Sequence, residues 1–496
     1  MRYILTLDVG TTAVKACLFT QTLALAGYSS EEYGLLTSGG TVELDPQRYW
    51  LACADTVRRA MRQAGATPDA VAAMAVTTQG ETLIPVDRNG QALCDAVVWL
   101  DARASDQAQA LSRALDPEKI YTTTGLPELT GQTPVCKLMW FRQRRPDIFE
   151  KTHKFLLLED YLIYRLTGRF VTEMSLMTST GYLDIRKGAL WDEMLVEAGV
   201  RPCQIPQLLP SGVTVGPLTE KAAHALALCP GIPVVTGAMD QAASAIGAGN
   251  TQKGAVTETT GTALVVAATV TTPDFTAPQR LTVYRHAIEG RYLLLPFCPT
   301  AGIVLKWLKD TFFSAEASCA GQNAYVLLDE MARTAPAGCG GLTALVNFAG
   351  ALTPELLPGA KGVFYGIGLD TGRSHFVRAV LEGVAYLLKD QVLLLERMGI
   401  PCQRVYALGG GARSDIWCQI KADVLGRPVC TTQLAETTSL GAAMLAGGAV
   451  GITERADSCR PVAAREYLPA AERVRVYQEG YGNYRALCRA LAPGFR

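Results

Sequence analysis

The chain has few of the groups that metal and redox sites are usually built from. It holds only four histidines, His153, His224, His286 and His375, and no two stand at a ligand spacing. Its fourteen cysteines are scattered from Cys17 to Cys488 without one CxxC pair. That excludes the usual zinc and thioredoxin signals. Net charge is also missing: Lys plus Arg and Asp plus Glu each total 46. Nothing in that balance would draw the chain to nucleic acid or to an anionic membrane as its main partner. No apolar run reaches the ~18 residues of a membrane span, and MRYILTLDVG passes too quickly into Asp8 to serve as a signal peptide.

What is present is a globular composition, 49% hydrophobic and 19% charged over 496 residues, enough for a sizeable core. At roughly 100–200 residues per domain, this length predicts two large domains or three to four small ones. So large a core needs no disulfide framework, and the cysteines read as reduced, mostly buried thiols of a cytoplasmic protein.

Along the chain, short apolar strands alternate with amphipathic helices, which predicts α/β layers. Tyr3–Leu7, VKACLFT and LALAGYSSEEY read as three strands, followed by a helix from Pro46 to Gln63 and a strand over 70–78. Asp45 can cap that helix, and Pro46 suits its first position. A similar order returns later. GAVTETTGTALVVAATV (254–270) reads as strand–turn–strand, 301–313 as a helix, and 375–399 as a long helix closed by Gly399. RVYALGGG leads into SDIWCQIKADVLG, then PVCTT and TTSLGAAMLAGGAVG, and the tail ends in a helix expected to pack on the core. A strand–Thr/Gly-turn–strand unit thus occurs twice, which predicts a coarse duplication with a cleft between the halves.

Four segments carry chemistry. In DVGTT (8–12), the backbone N–H groups and the Thr11 and Thr12 hydroxyls can cradle phosphate oxygens, Lys15 can add positive charge, and Asp8 can hold Mg²⁺ through water. The other reading is a plain hairpin turn. TETTGTA (257–263) is a matching turn in the second half. ALGGGARSD (407–415) allows a flat ligand to approach its glycines, or is merely a tight strand-to-helix connection; it fits neither GxGxxG nor the Walker pattern. GAMDQAASAIGAG (237–249) sets Asp240 among small residues. There it is a helix cap, a working carboxylate facing the cleft, or both.

TPVCKLMW (133–140), through Pro134, Lys137, Leu138 and Trp140, is similar to the first signature of the FGGY carbohydrate kinases. GVFYGIGLDTGRSHFVRAVLEG (362–383) resembles the second, through Gly366, His375, Ala379, Glu382 and Gly383. With the turn at Asp8, GAMDQ, GGGA (409–412) and SLGAA (439–443), the resemblance to this family of the sugar kinase, Hsp70 and actin superfamily covers nearly the whole chain. It implies an α/β fold of two ribonuclease-H-like, actin-like ATPase domains around a cleft, 1–246 and 247–496, the first for the acceptor and the second for the nucleotide. ATP and Mg²⁺ are the implied cofactors, a small sugar or polyol the partner, and a homodimer one option.

The resemblance also implies roles. Asp240 is the base that takes the proton from the acceptor hydroxyl, and Asp8 the Mg²⁺-associated acid. Thr11, Thr12, Lys15, Gly261 and Thr262 contact phosphates, and Gly302, Lys306, Gly410, Gly411 and Ser414 form the nucleotide platform. The acceptor set is Gln79, Glu81, Thr82, Asp101, Asp240 and Gln241. Asp101 and Arg103 shape the same pocket, unless they form an internal ion pair. TTQGETLIPVD (77–87) departs from the Met-His pair of xylulokinases. It stands nearer the Arg-Glu-Thr of glycerol kinases, with Gly80 in place of the arginine. That absence predicts a pocket roomier than that of a glycerol kinase, with no adjacent arginine to neutralise Glu81. A ketopentose kinase, on xylulose for instance, is the preferred reading and a polyol kinase the alternative. A non-catalytic sensor, a chaperone- or filament-type ATPase and a dinucleotide oxidoreductase stand behind them.

Overall fold

The structure, a computed structural model, describes residues 2–315, 318, 324–458 and 463–495. The strand Tyr3–Val9 shows why the first layers form. Its residues alternate, Leu5, Leu7 and Val9 entering one core layer and Ile4 the opposite one. It pairs antiparallel with Ala13–Thr20, which pairs antiparallel with Leu25–Glu32. On its other side Val71–Thr78 runs parallel, then Pro233–Val235 parallel, then Thr214–Pro217 antiparallel.

The second half repeats this order. Val256–Thr260 pairs antiparallel with Leu264–Val270, and that strand with Tyr292–Leu295. On its other side lie Val405–Leu408 and Val429–Thr432, both parallel, then Ala463–Tyr467, antiparallel. An additional strand, Thr282–Arg285, extends the sheet beyond Tyr292–Leu295. The duplication expected from two Thr/Gly turns is therefore a duplication of sheet topology.

The helices begin and end where their caps dictate. Pro46–Ala64 starts with the Asp45 carboxylate accepting the Gln47 N–H at 2.9 Å. Arg373–Arg397 starts two residues before His375, and Gly399, at φ +76°, closes it. The tail helix Ala471–Leu491 buries Tyr477 and Tyr484. The Tyr477 hydroxyl donates to Glu382 at 2.9 Å and accepts from Arg378 at 2.7 Å, which ties the tail to the long helix.

Two helices lie between the sheets, Asp240–Gly247 and Thr437–Ala449. The second comes late in the chain yet covers the first sheet, packing Leu440, Ala443 and Met444 with Ile4, Cys17, Ala73 and Ala75. The helices cross at glycines. A Cβ on Gly247 would fall 1.9 Å from the Thr437 carbonyl, and one on Gly441 1.9 Å from the Ala243 carbonyl. The small residues around Asp240 and in SLGAA are thus the contact surface of this crossing. Among the described residues no helix is long and apolar enough to cross a membrane, and twelve cysteines are free.

Candidate active site

The first turn joins Tyr3–Val9 to Ala13–Thr20 and faces the cleft. Asp8 stands opposite Lys15 in the hairpin register, 4.0 Å from its ammonium. The Lys15 ammonium donates at 2.7 Å to Glu436, from the segment just before the Thr437 helix, so this contact already spans the two halves. Burial pushes the Asp8 carboxyl up to about 6, with Lys15 opposing the shift and Glu436 adding to it. Thr12 is exposed, and the Thr11 hydroxyl accepts the Trp99 indole N–H at 2.9 Å. Tyr33 closes the turn by donating to the Gly10 carbonyl.

Asp240 is the first residue of its helix, and the cap position belongs to Met239. The cap reading is corrected to that extent: the carboxylate still accepts the Gln241 N–H, at 2.7 Å. Burial pushes Asp240 up to about 7, and the charges of Asp8 and Glu81 push the same way, so these three acids share one region. Nearby, the side-chain carbonyls of Gln79 and Gln241 are buried with no hydrogen-bond partner. Such groups await a donor, because an unmet buried acceptor costs ~1–3 kcal/mol. Thr82 is buried, its hydroxyl accepting the Trp99 N–H at 3.2 Å.

Glu81 lies in the left-handed region at φ +67° and lines a cavity of about 580 Å³ with Thr133, Ser179, Arg280, Tyr284 and Phe297. Burial raises its pKa, against Lys137 and hydrogen bonds from Ser179 and Tyr284. Lys137 is fully buried behind it, donating to the carbonyls of Glu81 at 3.3 Å and Val98 at 3.0 Å. Burial lowers Lys137 to about 8 despite the Glu81 charge. Two expectations from Gly80 therefore change. Glu81 does have a cation, supplied from the TPVCKLMW helix. The space beside Gly80 is also taken, for a Cβ there would lie 3.1 Å from the Met239 sulfur and 3.2 Å from the Ser179 hydroxyl.

Asp101 proves to be the internal ion pair. It is fully buried, one oxygen accepting the Val42 N–H at 2.6 Å, while Arg103 grips both oxygens at 2.8 and 2.6 Å and reaches on to Glu43 at 2.7 Å. Its side chain holds the WLDARA loop and is not turned toward the cavity.

The second turn gathers several expected residues. Gly302 opens the helix Gly302–Phe312 and donates its N–H to the Gly261 carbonyl at 2.8 Å, and the Ala301 N–H reaches Thr262 at 2.9 Å. A Cβ at Gly302 would stand 2.3 Å from Gly261, whereas Gly261 itself has open space on its Cβ side, and Gly410 has only the Thr260 carbonyl at 4.0 Å. Gly410 and Gly411 form one 3₁₀ turn that ends at Ser414. Ser414 caps the next helix through the Trp417 N–H and donates to Asp329 at 2.8 Å. Lys306 points outward and pairs with Asp310 at 2.6 Å. Beneath the turn, fully buried Lys421 donates to Glu258 at 2.6 Å and to Thr260 at 2.9 Å.

Several residues at the site were not anticipated. Trp99, which bridges Thr11 and Thr82, is the first residue of the WLDARA segment (99–104), and Glu436 directly precedes TTSLGAA; position was the only signal for either. Lys137 was visible as part of a signature but without a target. Tyr284 and Ser179 had no signal.

Residues 3–247 match the FGGY family of carbohydrate kinases, N-terminal domain, and residues 256–450 its C-terminal domain. A gluconokinase from Bacillus licheniformis is 28% identical over 99% of this chain and 96% of its own. A glycerol kinase from Thermococcus onnurineus (strain NA1) is 32% identical over 91% and 90%. The crystal structure of xylulose kinase from Rhodospirillum rubrum is 28% identical and superposes over the full length of both chains with a TM-score of 0.89. The two sheets and their cleft are the two-domain, actin-like ATPase fold of these enzymes. Kinases of this kind use ATP as phosphate donor and generally need Mg²⁺. With both domain models matched in order over most of its length, the chain belongs to the FGGY family of carbohydrate kinases and is a phosphotransferase acting on an alcohol group.

Proposed function

We propose that the acceptor is an uncharged polyhydroxy compound, with a ketopentose such as xylulose as the first reading. The observation that carries this is the charge inventory of the Glu81 cavity. Lys137 faces backbone carbonyls and forms with Glu81 a pair that is already compensated. Arg280, the cation among the described residues lining the cavity, is paired with Glu118. A sugar acid would bring its carboxylate here with no unpaired cation to receive it, near Asp240 and Asp8, and like charges brought together cost several kcal/mol. Hydroxyls suit the unmet carbonyls of Gln79 and Gln241 and the acceptor oxygens of Glu81. A polyol is the second reading, favoured by the 32% identity to a glycerol kinase.

In this reading Asp240 accepts the proton of the acceptor hydroxyl as it attacks the γ-phosphate. A carboxyl held near 7 suits a base working at neutral pH. Asp8 is the acid nearest the phosphates, and Mg²⁺ supplies charge neutralisation when bound. The residues fit it: Asp8 and Asp240 repel each other in its absence, and among the described residues no cluster of three or more His, Cys, Asp or Glu could cage a metal alone. The ion would arrive largely on the nucleotide, as Mg²⁺ commonly does. Thr11, Thr12, Lys15, Gly261 and Thr262 line the phosphates. The open faces of Gly261 and Gly410, with Gly302, Gly411 and Ser414, receive the nucleotide. Lys306, paired outward, contributes at most at the rim.

The test is ADP release with Mg²⁺-ATP against xylulose, ribulose, pentitols, glycerol and gluconate. A neutral acceptor should lead, with gluconate at least ~10²-fold lower in kcat/KM. Gluconate as the best substrate would overturn the proposal.

A further inference from the structure

We propose that Glu159, Ser175 and Thr77 are positioning residues for phosphoryl transfer, holding the backbone of Gly237–Met239 so that Asp240 meets the acceptor hydroxyl. The inference rests on reading Asp240 as the base. The three residues before Asp240 have no polar side chain with which to fix themselves. Each is held instead by a buried side chain from a different element. The Gly237 N–H donates to Glu159, on the helix Leu158–Thr167, at 3.2 Å. The Ala238 carbonyl accepts from the Thr77 hydroxyl, on the strand Val71–Thr78, at 2.6 Å. The Met239 N–H donates to the Ser175 hydroxyl, on the short helix Met174–Met177, at 3.1 Å. The segment is also pressed flat, since a Cβ on Gly237 would lie 1.7 Å from the Val76 carbonyl.

The polarity of these bonds is fixed from below. A serine hydroxyl has one hydrogen to give. Ser175 gives it to Glu173 at 2.8 Å, which leaves its lone pairs for Met239. Glu173 in turn accepts from the N–H groups of Ser175 and Leu176 and from Ser211. Thr77, Glu159, Glu173 and Ser175 are all fully buried, and none lines the acceptor cavity. They act through the backbone, not on a ligand.

The arrangement is costly, which argues that it is more than packing. One oxygen of Glu159 is buried without a partner, and Glu173 and Asp160 lie close enough to raise its pKa further. An apolar residue would fill that space more cheaply. What an apolar residue cannot do is accept the Gly237 N–H. A base works only within hydrogen-bond reach of its proton, and a misplacement of ~1 Å can cost ~10²-fold in rate.

The experiment compares Thr77→Val, Ser175→Ala and Glu159→Leu with the conservative Thr77→Ser and Glu159→Gln, and with Asp240→Asn in parallel. Steady-state kinetics use the best neutral acceptor, and affinity for a non-hydrolysable ATP analogue is measured by calorimetry. The first three should lower kcat by about 10–100-fold, with KM values and analogue affinity within about twofold. Glu159→Gln and Thr77→Ser should return to within about threefold of wild type, since each keeps the required polar group. Should Glu159→Leu not fold, the near-isosteric Thr77→Val and the small Ser175→Ala decide. Wild-type kcat in those two, or losses that fall equally on analogue affinity, would overturn the proposal. Asp240→Asn separates the two claims. If it is inactive while Thr77→Val and Ser175→Ala are fully active, the positioning role alone falls. If it retains turnover, the base assignment falls and the positioning role with it.

Discussion

Asp8 and Glu258 sit on corresponding strands of two sheets with the same topology, and they face opposite ways. Asp8 is two residues before the turn glycine Gly10, and Glu258 three before Gly261. Successive strand residues point to opposite faces, so this one-residue offset decides their surroundings. Asp8 shares its face with Ile4, toward the cleft, where burial and Glu436 leave its charge poorly compensated. Glu258 points into the layer behind the sheet, where Lys421 and Thr260 satisfy both of its oxygens. One half keeps an acid whose charge a ligand can use, and the other neutralises its acid to hold a turn still. Equal topology therefore predicts that both turns form, not that both do chemistry.

The comparison can be broken most severely at Lys421. Lys421→Met leaves Glu258 buried without its cation, and should cost about 3–5 kcal/mol in urea unfolding, most of it recovered in Lys421→Met with Glu258→Leu. Loss of less than 1 kcal/mol would mean that the pair does not support the turn. On the cleft side, Asp240→Asn should lower kcat by about 10²-fold or more while nucleotide affinity stays unchanged by calorimetry. Glu81→Ala should lower kcat/KM for the acceptor by about 10–150-fold, the equivalent of 1–3 kcal/mol of lost hydroxyl bonding. Slow acceptor-free ATP hydrolysis should persist in that variant, and its collapse instead would move Glu81 to the phosphate site.

The pH dependence of stability sharpens the contrast further. The Asp240 pKa rises on folding from 3.8 to about 7, so the folded state binds the proton more tightly. Its favourable contribution is complete below 3.8 and is lost as pH rises through 7. Without nucleotide or Mg²⁺, Asp240→Asn should melt higher than wild type at pH 8, and the difference should vanish toward pH 4. The opposite order would reject the buried, repelled carboxylate. Smallest of all is Glu436→Gln. Its bond to Lys15 is partly exposed and worth up to ~1 kcal/mol, so KM for ATP should change by less than about fivefold.

The sequence carried the local grammar well. Two Thr/Gly runs after apolar strands marked both turns, Asp45-Pro46 marked a helix start, and the i, i+2 spacing of Asp101 and Arg103 already offered the ion pair that the structure contains. Partnerships across long separations were not legible. Glu258 and Lys421 are 163 positions apart, and Glu159 and Gly237 are 78 apart. No periodicity in either segment specifies the other. The Asp240 stretch was ambiguous for a different reason, because alanines and glycines state that something comes close without saying what. The pocket beside Gly80 was misread because a missing side chain was taken for missing volume and missing charge, when Met239, Ser179 and Lys137 supply both from other elements.

The late helix Thr437–Ala449 has a consequence for how the protein is made. It covers one face of the first sheet, so that face, including Ile4, Ala73 and Val235, has no lid until the ribosome has passed Ala449. At ~5–20 residues per second, the interval from Val235 to Ala449 is ~10–40 s. During it the nascent first half exposes apolar strand faces and cannot reach its final packing, even though every strand of its sheet has been synthesised. Truncations before Thr437 should therefore yield aggregating fragments, not a free-standing first domain, and ribosome-bound chains should gain protease resistance in the first half only after the last crossing helix emerges.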